Sequence, residues 1–338
     1  MRRLAGSAAA AVLVAVGGIA SGAGAAPAAA SSGHAVQRPV AGTHCRVFPA
    51  NNVWNANISK LPVNKRSAQW VKNIGRSDDL HPDFGPSFGA QPVPYGIPIT
   101  AVSGSHPRVH VKFMYSSESD HVRYPLGKDT KIEGGRNASG DRHAIVLDKK
   151  TCVDYETWLT RDTRHGWTAG SGAVWSLKTN KLREKPKLNL GPNGLTSADA
   201  AGLPILAGLL RPNEVKAGYV GHAIRFTAPV SSERFIWPAE HEAGSKKSRN
   251  YPPMGARFRL KASFPLAGYS RDTKVVLRAM KTFGLILADN GSPWFFQGSA
   301  SNAWSNPMIE QLKTIPASAF QAVDESSLEV SPHSGEVR

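Results

Sequence analysis

The sequence predicts a mainly β fold, a single-domain β-sandwich or jelly roll with a few peripheral helices. Three observations lead there. Glycine (32) and proline (24) are frequent in the 338 residues, which favours many turns and short strands over a helical bundle. Several short runs alternate apolar and polar residues with period two. Turn signals separate those runs: Gly134-Gly135, Gly170-Ser171-Gly172, Pro192-Asn193-Gly194 and Pro252-Pro253. With 41% hydrophobic and 20% charged residues, the composition is that of a globular chain rather than a disordered one.

The elements follow in order. Arg2 and Arg3, the apolar run from Ala8 to Ala20 and Ala23-Gly24-Ala25 form the three parts of a signal peptide, so residues 1–25 read as an export leader and the protein as secreted. The apolar run is too short to span a bilayer, and no longer one follows, so no membrane partner is implied. Residues 26–43, rich in Ala, Ser, Gly and Pro, read as a flexible spacer. One β-rich domain is predicted over 44–328, because no internal repeat or linker divides it. Ser67 to Ile74 predicts a helix capped by Ser67 and stopped by Gly75. Residues 80–107 predict an ordered irregular segment.

Strands are predicted around Val109–Tyr115, Ala144–Leu147, Cys152–Trp158, His222–Thr227, Arg234–Trp237 and Ala256–Phe264. Lys149-Lys150-Thr151 is the turn of a hairpin. Three helices interrupt: a short one near Ser197–Ala201, one over Arg271–Phe283 capped by Ser270, and one starting at Pro307 with Asn306 as cap. Residues 329–338 read as a disordered tail. In an exported chain the lone pair Cys45 and Cys152 predicts a disulfide.

No nucleotide loop, dinucleotide fingerprint, His-Glu-x-x-His, Cys-x-x-Cys or nucleophile elbow occurs, so no cofactor or metal is implied. The formal net charge is +16, but the cations are dispersed, so the sequence implies no nucleic-acid partner. A monomer acting on a polysaccharide, an anionic one in the lyase reading, is the expected state.

Four constellations carry chemistry. Asp154, Glu156 and Trp158 fall on one face of a strand, since side chains alternate with period two. Two carboxylates so placed fit the acid and base of glycosidic cleavage, with Trp158 stacking on a sugar ring. His222 lies at the edge of an apolar face, with Arg225 on the face opposite; Glu240-His241 follows in a loop near Trp237, a second stacking platform. Arg257, Arg259 and Lys261 form a cationic strand face suited to an anion. Asp289-Asn290-Gly291 is a tight turn between two strands.

The leading expectation is an exported glycoside hydrolase with Asp154 and Glu156 as its carboxylate pair. The alternatives are a polysaccharide lyase and a non-catalytic wall or matrix polysaccharide-binding protein. In the lyase, Arg225 and Arg259 neutralise a uronate while His222 or Tyr155 moves the proton.

The runs Val47–Asn55, Leu80-His-Pro-Asp-Phe-Gly85, Gly140-Asp-Arg-His143, Gly202–Ile205, His222-Ala-Ile-Arg-Phe-Thr227, Pro252-Pro-Met-Gly255 and Ile286-Leu-Ala-Asp-Asn-Gly-Ser292 resemble those of an exported bacterial family of largely uncharacterised proteins. The resemblance spans nearly the whole chain beyond the leader. It implies a single exported domain and assigns no catalytic residue.

Overall fold

The computed structural model describes residues 37–88, 93–183 and 194–338. The leader and most of the spacer lie outside the described residues. Strands exceed helices, 27% against 17%, so the chain is β-rich. Among the described residues it forms three sheets and no closed barrel.

The largest sheet has six strands. In spatial order these are β1 (His81–Asp83), β12 (Phe295–Gln297), β9 (Ile224–Ala228), β11 (Leu285–Asn290), β10 (Arg257–Leu260) and β13 (Phe320–Ala322). The second sheet orders β2 (Ile99–Val102), β4 (Ala144–Asp148), β5 (Val153–Trp158) and β8 (Ser171–Ser176). The third orders β3 (Val111–Phe113), β7 (Gly166–Ala169) and β6 (Arg161–Thr163). Pairing is mixed: β9 runs parallel to β11, β2 to β4 and β3 to β7, whereas β4, β5 and β8 are antiparallel.

The predicted hairpin forms, with Ile145 opposite Glu156 and Leu147 opposite Asp154. Both faces of its sheet are covered. Ile145, Leu147, Ala173 and Trp175 join the main core. Ala144, Val146 and Tyr155 join a second cluster with Phe113, Tyr124 and Trp167. Double coverage explains why β4 is a continuous apolar run rather than an alternating one.

The helices are α1 (Ser67–Gly75), α2 (Ile205–Gly208), α3 (Pro212–Ala217), α4 (Arg271–Thr282) and α5 (Asn306–Leu312). The Ser270 side chain caps α4 by accepting from the Thr273 amide, as predicted. For α5 the capping side chain is Ser305 rather than Asn306. In α1 the Ser67 hydroxyl accepts from the Ala322 amide instead of capping its own helix.

Six expectations are corrected. Residues 80–107 are not wholly irregular, since β1 and β2 lie within them, and Asp289 and Asn290 belong to β11, paired with Thr227 and Ala228, rather than to a tight turn. Residues 197–201 make turns rather than a helix, because the Ser197 hydroxyl donates to main-chain carbonyls at Asp199 and Leu203 and accepts from the Asp199 amide. Such local bonds compete with helix formation. Residues 234–237 form no strand; Phe235 makes a single bridge to Met254. The ordered chain starts before residue 44, since Gln37 and Val40 are buried. The last ten residues are packed: Val337 is buried, and Glu336 and Ser334 bridge to Asn52 and Lys181.

Cys45 and Cys152 form a disulfide across 107 residues. It ties the N-terminal segment to the turn between β4 and β5.

Candidate active site

The strand ends of the three sheets meet around a groove with a cavity volume of about 550 Å³, within the range of small-ligand sites. The β3 sheet sends Tyr115 and Glu118, β5 ends on Trp158, β8 begins at Ser171, and β11 ends on Asp289 and Asn290. Loops carrying Asp199 and His241 complete the wall. Among the described residues, its lining contains five acids and no Lys or Arg, in a chain with a surplus of cations.

Trp158 ends β5 and lines the groove. Its indole N–H donates to Asp141 Oδ1 at 3.2 Å, and its ring lies 6.2 Å from that of Tyr115, which is 46% exposed. Gly170 makes this seat: a Cβ there would lie 2.2 Å from the indole, closer than any real contact. The two rings form a partly open aromatic wall, the kind of surface on which a sugar ring stacks.

Asp289 is one of several partly open carboxyls in the groove, 29% exposed at its side chain, with Asp141 more open and Glu118 and Glu242 half-buried. It sits beside a buried ion pair in which Arg225 donates to both oxygens of Asp199, at 2.9 and 2.7 Å. Arg225 Nη2 is 3.8 Å from Asp289 Oδ2. Burial and the neighbouring Asp199 push Asp289 up to about 7, against the pull of Arg225 and His143. It is therefore protonated over much of the range in which ordinary aspartates are ionised.

His143 lies behind this group. Burial pulls its pKa down, but Glu133, 2.7 Å from Nδ1, lifts it to about 9. Across the lining, the Glu118 carboxylate accepts from the Thr196 amide at 3.0 Å and lies 3.7 Å from His241 Nε2. His241 Nδ1 meets the Ala200 carbonyl at 2.7 Å, so Nδ1 carries a proton and Nε2 faces Glu118.

The other sequence-flagged residues lie elsewhere. Asp154 and Glu156 share a face, but it is the core face, and both are buried. This corrects the expected open face: the second sheet is covered on both sides. Glu156 accepts from the Ile205 and Leu206 amides at 2.9 and 2.8 Å, the start of α2. Burial and the adjacent Glu156 push Asp154 well above the usual carboxylate range.

His222 is also sealed, with Nε2 3.2 Å from Glu214 and Nδ1 against the Ala223 carbonyl. Arg225 is not on an open face but pairs inward with Asp199. Arg257 and Arg259 form no cationic strip. The first is buried against Glu325 and the carbonyls of Val53 and Phe283, and the second donates to the Ile58 carbonyl. Lys261 donates to the Ser318 carbonyl. Trp237 lines a different groove.

Reading the sequence alone misses Glu118, Asp199 and His143 as site residues. Only proximity in the fold assembles them, although Gly140–His143 and Ile286–Ser292 stood out as runs. Comparison finds no family model, curated protein or solved structure that matches this chain.

Proposed function

We propose that the protein is a secreted, monomeric glycoside hydrolase that works on a polysaccharide in this groove. The observation that carries the reading is Asp289, a partly open carboxyl with its pKa lifted to about 7, beside the aromatic wall of Trp158 and Tyr115. A carboxyl that keeps its proton near neutrality suits protonation of a leaving glycosidic oxygen. Glu118, oriented by the Thr196 amide and neighboured by His241, supplies the second carboxylate that glycosidic cleavage needs.

Two features favour hydrolysis over uronate elimination. The arginines that would neutralise a uronate, Arg225 and Arg259, are buried. The groove lining, among the described residues, offers no cation in their place. Neutral or amine-bearing glycans suit such a wall better than polyuronates.

The test is a panel of neutral, amine-bearing and anionic polysaccharides, assayed for new reducing ends and for unsaturated uronate. Reducing ends without unsaturation are expected, with Asp289→Asn lowering turnover by about 10²–10⁴-fold. Unsaturated product would establish the lyase. Binding without any product would make the chain a polysaccharide-binding protein.

A further inference from the structure

A second groove, with a cavity volume of about 500 Å³, is lined by a different set of residues. Unlike the first, its lining contains arginines, three of them, beside the acids Asp324, Glu325 and Glu329. Trp237 and Tyr251 supply part-open aromatic rings, with Lys246 Nζ 5.8 Å from the Tyr251 ring centre, and Arg66, Arg234 and Arg249 supply cations. The Trp70 indole N–H donates to the Arg249 carbonyl at 3.0 Å, and that of Trp237 to the Ser334 carbonyl at 2.9 Å. Both indole donors are thus used inside the protein; Trp70 is buried in the core beside Phe258, and Trp237 is the half-buried ring of the two.

Among the described residues, none of the three arginines makes an ion pair within 4.0 Å. Arg234 and Arg249 are exposed. A guanidinium offers a planar fork of donors that fits a carboxylate bidentately. The lining also includes Asp324, Ser326, Glu329 and Asn64, acceptors suited to sugar hydroxyls. An anion without hydroxyls would find no partner for those acids. A sugar that alternates hydroxyls with single carboxylates would use both kinds of group.

We propose that this groove binds a carboxylate-bearing oligosaccharide, a uronate segment stacked on Trp237 and Tyr251 with its carboxylates on Arg234 and Arg249. This binding does not depend on the hydrolytic reading. It gives the molecule a second hold on glycan, one with arginines to receive a carboxylate.

The probe is an oligogalacturonate, compared by calorimetry with a neutral oligosaccharide of the same length. The full chain is used at low and at high salt. Oligogalacturonate is expected to bind more tightly and to weaken with salt, because exposed charges are screened. The variant R234A/R249A is expected to lose at least about tenfold in affinity while keeping its fold, since both side chains are exposed and unpaired. Asp289→Asn is expected to bind like the parent.

Undiminished binding in R234A/R249A, or equal affinity for the neutral oligosaccharide, would overturn the proposal. Loss of binding in Asp289→Asn would also overturn it, by placing the ligand in the first groove. None of these outcomes bears on whether the first groove hydrolyses glycan, which reducing-end release decides separately.

Discussion

At Asp289 the structure couples stability to pH. Its folded-state pKa of about 7 stands above its ordinary 3.8. A raised carboxyl pKa means the native state holds its proton longer than the unfolded chain does. Its stabilising contribution is complete below about pH 4 and is lost as pH rises to 7. Glu325, lifted by burial to about 7 despite Arg257, acts in the same direction and the same window. Asp289→Asn is therefore expected to be more stable than the parent at pH 8, with the gap closing towards pH 4. Denaturation midpoints measured across that range check it, and a gap that widens on acidification would refute the assignment. In an active assay, kcat/KM of the parent is expected to fall above about pH 7, as the acid loses its proton. Glu156 behaves differently. It accepts two α2 amides inside the core, so Glu156→Gln replaces one acceptor oxygen by a donor facing an N–H. A loss of about 1–3 kcal/mol is expected, seen in equilibrium unfolding, with turnover per folded molecule unchanged. Arg257→Met leaves Glu325 without its donor and removes a donor from the Val53, Ala56 and Phe283 carbonyls. Breaking such a buried pair is expected to cost about 3–5 kcal/mol.

At the scale of elements, much of the fold was legible wherever a local signal acts alone. The Ser270 cap, the Val276 and Met280 stripe and the Gly284 stop predict α4 nearly to the residue. The alternation from Asp154 to Trp158 and the turn after Asp148 predict β5 and its hairpin with β4, while the register, Asp148 opposite Val153, is set by the fold. A strand's period shows which residues share a face, but not what covers that face. Asp154, Glu156 and Trp158 do share one. Its inner part is sealed by α2 and the main core, and only its end, at Trp158, reaches the groove. Arg225 and Arg257 illustrate the same limit. Each is polar within an apolar strand, which suggests an open face, yet each is buried because an acid from a distant segment, Asp199 or Glu325, meets it. The site residues come from stretches as far apart as Glu118 and Asp289, so no spacing in the chain records them. The Asp289-Asn290 pair, expected in a turn but found at the end of β11, and the Glu240-His241 loop stood out in the sequence, while their convergence was a property of the folded molecule.

At the scale of the whole molecule, the two chain ends are clamped to one another near Asn52. The Val53 amide donates to the Gly335 carbonyl, the Gly335 amide to the Asn180 carbonyl, and the Asn52 side chain to Asn180 Oδ1. The Cys45–Cys152 disulfide fastens the same N-terminal segment to the second sheet. Closing a loop of that length is worth about 4–5 kcal/mol in the loop-entropy description. Replacing both cysteines by serine is expected to destabilise by about 2–5 kcal/mol, and thiol titration of the denatured, unreduced parent should find no reactive thiol. The C-terminal strap is the less obvious half of the clamp. Val337 is 5% exposed, and the Trp237 indole is anchored on the Ser334 carbonyl. Deleting residues 333–338 therefore removes one buried apolar side chain, worth about 1.5–3 kcal/mol. It also removes several hydrogen bonds, each worth about 1 kcal/mol. A net loss of about 2–4 kcal/mol is expected after the entropy of the freed segment is counted. The same deletion unseats Trp237 in the second groove, so oligogalacturonate binding should weaken together with the denaturation midpoint. A truncated chain with the parental midpoint would show that the strap is not structural. A lowered midpoint with parental binding would show that Trp237 keeps its position without Ser334.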